Sequence, residues 1–167
     1  MNIEQARQDI LTWAETFLEV PNTALGGWSP CPYARRARLN NTVDIRLGTD
    51  PYADLQALAE QGLGNYEVIV YVYDPAAWTH EEFAAKLESA NLDFLLDRDI
   101  LCLEDHPADP EIVNGVTMNQ GKYAMAMCQS LSDLNEKARA MALRGFYDTW
   151  PEQYLEQLFQ HRQDPRQ

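Results

Sequence analysis

Basic residues are scarce: 13 Lys and Arg face 26 Asp and Glu in a chain of 167 residues, a formal charge of −13 at neutral pH. A field of that sign repels phosphate backbones and anionic lipids, so neither nucleic acid nor a membrane is an expected partner. Cysteine is scarce too. Cys31, Cys102 and Cys128 form an odd set with no C-x-x-C spacing, which argues against a disulfide framework or a zinc ribbon. His80, His106 and His161 show neither H-x-H nor H-E-x-x-H spacing, and the glycines never form G-x-x-x-x-G-K-[ST]. No metal and no cofactor is therefore expected. Long apolar runs are missing, and the first twenty positions mix charges with apolar residues, so neither a spanning helix nor a secretory leader is expected and the protein is placed in the cytoplasm.

What is present fits one globular domain spanning 1–167, with 46% hydrophobic and 10% aromatic residues. Residues 1–40 read as a helical extension ending in a Cys-Pro-Tyr loop, 42–145 as an α/β core and 150–162 as a last helix. Ile3, Ala6, Ile10, Trp13 and Phe17 recur at helical spacing until Pro21. Val43, Ile45 and Leu47 alternate like a half-buried strand, and the Tyr66–Tyr73 run, nearly all β-branched or aromatic, suits a central strand. Asp50-Pro51, Thr79-His80-Glu81-Glu82 and Ser130 are helix starts. Further strands are expected at 100–103 and 123–128. The class is α/β (α+β): a four-stranded mixed sheet flanked by helices in the thioredoxin-like order β-α-β-α-β-β-α, with an extra helix at each end. A ferredoxin-like order would need the second and third strands adjacent without a helix between them.

Cys31 precedes a helix start with Arg35 and Arg36 one turn on, an arrangement that favours a thiolate. Those guanidinium groups are candidate anchors for carboxylate or phosphate. Dithiol redox chemistry is rejected, because Ala34 stands where a second thiol would be and the segment precedes the first strand. Asp105-His106-Pro107 follows the third strand, and His106 there is a candidate general base with Asp105 to orient it. Asn119 and Lys122, in a turn-rich connection, are candidate ligand donors. Each has a plainer reading: a buried loop cysteine, internal ion pairs, a proline-stiffened solvated loop.

Cys31-Pro32-Tyr33-Ala34-Arg35, Asp74-Pro75 and Asp105-His106-Pro107 together resemble, over roughly residues 10–140, a bacterial family of unknown function marked by a C-P-F-A segment after an N-terminal helix. Tyr33 departs from its Phe, and Asn119-Gln120-Gly121-Lys122 from its proline-containing run. The resemblance implies a shared fold and a meeting of the Cys31 and His106 loops, and it supplies no activity. The expectation is an enzyme or enzyme-like protein acting on a small anionic molecule, with Cys31, His106 and Asp105 catalytic and Arg35, Arg36, Asn119 and Lys122 binding. A non-catalytic ligand-binding protein is the alternative, and an acidic interaction protein the third reading. A second copy of the chain or a protein partner stays open.

Overall fold

A computed structural model describes residues 1–167. Asn2 caps α1 (Ile3–Trp13) by accepting from the Glu4 and Gln5 amides, and the chain widens into a π-type turn at Ala14–Leu18 before Pro21 stops it. A loop leads to α2 (Ala34–Leu39), β1 (Val43–Leu47), α3 (Pro51–Gln61), β2 (Val68–Tyr73), α4 (His80–Ala90) and β3 (Ile100–Asp105). After β3 come the two-residue strands β4 (Ile112–Val113) and β5 (Val116–Thr117), then β6 (Ala124–Ser130), α5 (Leu131–Leu143) and α6 (Glu152–Leu158). The expected class holds, and the expected order holds in part, since the β4–β5 hairpin stands between the third and the last strand of the main sheet. Asp50 caps α3, Thr79 and Glu82 form the capping box of α4, and Ser130 caps α5.

The main sheet runs β1-β2-β6-β3, with β1 parallel to β2 and β6 antiparallel to both neighbours. β6 thus enters between β2 and β3, and the long connection before it carries a hairpin of its own. Asn114 and Gly115 turn that hairpin with φ of 51° and 81°, a pairing only a primed turn accepts. β3 also runs two residues further than the expected 100–103, so Glu104 and Asp105 lie in the strand rather than in the loop.

β2 is buried over Ile69–Tyr73, so both faces of the sheet need cover. Leu55, Leu58, Phe83 and Leu87 of α3 and α4 pack on Ile69, Tyr71 and Tyr73, while Ala6 and Ile10 of α1 pack with Ile45, Val70, Val72 and Met125 on the other side. Leu25, Val113, Phe146, Tyr147, Trp150, Leu155 and Phe159 make a separate aromatic cluster that ties the early loop to the C-terminal helices. No helix is long and apolar enough to cross a membrane.

Two local devices hold the sheet. A Cβ on Gly48 would stand 2.0 Å from the Tyr73 ring, so only glycine lets the chain leave β1 there. At the opposite edge, buried Asn91 donates to the Cys102 carbonyl at 3.0 Å and accepts from its amide at 2.9 Å, pairing an edge strand as another strand would. Asn91→Leu leaves both backbone groups buried and unpaired. A loss of about 2–4 kcal/mol is expected, read by urea unfolding, and an unchanged midpoint would refute the role given to Asn91.

Candidate functional site

β1, β2 and β3 all point the same way, so their C-terminal ends gather at one end of the sheet. His106 lies there. It is 4% exposed, its Nε2 meets the Trp78 carbonyl at 3.2 Å, and its Nδ1 accepts from the Ala108 amide at 3.1 Å. An Nδ1 that accepts and an Nε2 that donates define one neutral tautomer with both nitrogens engaged. The ring packs 5.7 Å from Phe83.

Asp105 does not orient it. Its carboxylate instead accepts from Asn119 Nδ2 at 2.8 Å and from the Gln120 amide at 2.9 Å, and burial raises its pKa against those two donors. Asn119 also accepts from the Glu111 amide at 2.6 Å and donates to the His106 and Asp109 carbonyls. Asp105, His106 and Asn119 are brought together, but as a clasp that shuts the 105–120 connection, with their polar atoms spent on one another. Lys122 lies apart, paired with Asp9 at 2.6 Å. That contact and the Tyr123 hydroxyl hold Asp9 down at about 2.

Cys31 lies at the other end. Its amide donates to the Leu18 carbonyl, and its sulfur sits near Lys137, which pairs with Glu67 just ahead of β2. β2 separates the two ends by its own length, roughly 17 Å at ~3.3 Å per residue. The Cys31 and His106 loops, expected from the sequence to form one cleft, therefore lie toward opposite ends of β2, and no hydrogen bond or ion pair joins them. Arg36 pairs with Glu67 at 3.3 Å and lies over the Tyr33 ring, while Arg35 is exposed and makes no ion pair. A groove of about 410 Å³ between α3 and α4, lined by Asp50, Lys86 and Asp93 among others, includes none of these residues.

Around Cys31 lie Glu19 and Tyr33 from its own part of the chain and Lys137 and Tyr147 from the C-terminal part. Tyr147 is buried, near Cys31 and Tyr33, and faces the Arg162 guanidinium. Lys137 Nζ lies 5.1 Å from the Tyr33 ring centre. Arg162 has no carboxylate partner: Nη2 reaches the Leu134 carbonyl at 3.4 Å, the guanidinium rests 5.0 Å from the centre of the Phe159 ring, and Nε is buried without an acceptor. Burial lowers its pKa, opposed by Tyr147. In a chain with 26 acidic residues, a half-buried arginine with no acid to meet it is the exception. Burial raises the Cys31 thiol, against the Tyr33 and Ala34 amides, and pushes the Tyr147 phenol up to about 12. At neutral pH the cluster holds two protonated donors beside the Arg162 guanidinium, with Lys137 paired to Asp133 and Glu67.

Tyr147, Lys137 and Arg162 are not legible as site residues in the sequence: the aromatic run from Phe146 to Trp150 reads as packing, or as a pocket mouth or dimer contact, and nothing in the spacing around Arg162 marks it. No family model, curated protein or solved structure matches the chain.

Glu104 has one carboxyl oxygen buried without a partner, and burial with Asp109, Glu111 and Asp105 nearby raises it from 4.5 to about 7. The folded state thus binds an extra proton between those values, and stability falls as pH rises through 7. Glu104→Gln is expected to remove that fall and to stabilise at pH 8 by about 1–2 kcal/mol, the full shift being discounted for solvent around a partly exposed group. Urea unfolding at pH 5 and 8 measures it; a variant with the wild-type pH difference would place the titration on another group.

Proposed function

We propose that the protein binds a small anionic molecule where the Cys31 loop meets α5 and the segment after α6. The observation that carries this reading is Arg162, a partly buried guanidinium with an orphaned Nε and no carboxylate. Native chains rarely keep such a group, because an unpaired buried charge costs several kcal/mol, and an arriving anion would repay that cost. Tyr147 and Cys31 add protonated donors, while Lys137 is already paired with Asp133 at 2.7 Å and Glu67 at 3.4 Å.

Between a binding protein and an enzyme, the protonation states favour binding. Turnover by Cys31 would require its thiol to lose a proton against burial, whereas anion recognition uses every group in the state it already holds. The reading places the protein in a reducing, cytoplasmic compartment, where the Cys31 thiol persists.

Arg162→Met separates function from stability. Replacing an unpaired buried charge with an apolar chain of similar length is expected to leave the melting temperature equal or higher. Loss of a charge-assisted contact worth ~1.5–3 kcal/mol lowers affinity about 10- to 100-fold. Calorimetric titration with inorganic phosphate and with citrate checks this. Undiminished binding by the variant, or no binding of either probe by the wild-type protein, would overturn the proposal.

A further inference from the structure

Beyond α6 the chain turns back, and the segment from Gln163 onward is pinned. The Gln163 amide donates to Asn135 Oδ1, and Arg139 reaches the Gln163 side chain at 3.0 Å. This brings Arg166 to a cavity of about 200 Å³ walled by Tyr147, Trp150 and Leu155 on the apolar side and by Asp148 and Glu152 on the acidic side. Arg166 Nη1 meets Glu152 at 2.6 Å and Nη2 meets Asp164 at 2.6 Å. Trp150, 9% exposed, keeps its indole N–H buried with no acceptor.

Three properties of this cavity select one kind of occupant. Its volume is below the ~300 Å³ at which pockets begin to hold drug-sized ligands, so it suits a single side chain. Aromatic rings beside carboxylates are the chemistry that receives a planar cation. The unsatisfied indole N–H asks for an acceptor that a guanidinium lacks and a peptide carbonyl supplies.

The geometry points to a docking site for an arginine-bearing segment of a basic partner protein, with Arg166, which lines the cavity and holds Glu152, as the intramolecular competitor that a partner arginine displaces. The partner's guanidinium takes the place of the Arg166 guanidinium at Glu152, and a carbonyl next to it accepts from Trp150. The charge of −13 supplies the attraction that brings a basic partner in. The site shares the Tyr147 wall with the anion cluster but uses the opposite charge, and it owes nothing to that reading.

The test uses a fluorescently labelled Gly-Gly-Arg-Gly peptide, and the same peptide with lysine or citrulline for arginine, titrated by anisotropy into the full chain and into Arg166→Ala. Removing the competitor in cis is expected to tighten arginine-peptide binding at least tenfold. Lysine should bind more weakly and citrulline not at all. In the Arg166→Ala background, Trp150→Phe keeps a ring but loses the N–H and should weaken binding several-fold, and Glu152→Gln should weaken it further. Equal affinity for the arginine and lysine peptides would show only attraction to an acidic surface. That result, or an affinity unmoved by Arg166→Ala, would overturn the proposal, while leaving phosphate binding at Arg162 untouched.

Discussion

Five consecutive buried residues in β2 impose the constraint from which the rest of the architecture follows. A strand apolar on both faces needs two covering layers, and α3 with α4 on one side and α1 on the other provide them. Three strands that point the same way then collect the loops after β1, β2 and β3 at one end, and the Cys31 loop, entering from α1, is left at the other. The separation of Cys31 from His106 is thus a consequence of sheet topology, not of local sequence.

The two ends are built differently. Around His106 the polar atoms, one Glu104 oxygen apart, satisfy one another: Asn119 binds Asp105, Glu111, His106 and Asp109, and the His106 ring has a partner at each nitrogen. Satisfied networks rigidify, and this one fixes the connection through which β6 is delivered to its place between β2 and β3. Around Cys31 the accounts stay open, with an orphaned Arg162 Nε and, on the far side of Tyr147, an orphaned Trp150 indole. Groups that cost stability in the free protein are where binding energy is stored for a ligand.

Local signals carried far along this chain. Asp50, Thr79 and Ser130 each cap the helix that their position before an apolar stripe announces, and Asn114-Gly115 turns a hairpin as its chemistry requires. Asn91 could not be read this way, since a buried asparagine that pairs with a strand eleven residues on looks, in sequence, like any polar residue at a helix end. Asn119 was visible as a turn residue, but its service to Asp105 depends on a register set by β3 and β6. Arg162 was the hardest. One arginine in a polar segment has no period and no motif, and its meaning comes only from the absence of an acid among the groups that Tyr147 and Phe159 bring around it.

The proposed anion site puts ligand chemistry at Arg162 and Cys31 and not at His106. The most direct measurement is an NMR titration with inorganic phosphate that follows the Arg162 Nε–H and the His106 imidazole signals in the same sample. The expected result is a saturable shift of the Arg162 resonance while the His106 ring stays where it is. Movement of His106 with a silent Arg162 would contradict it.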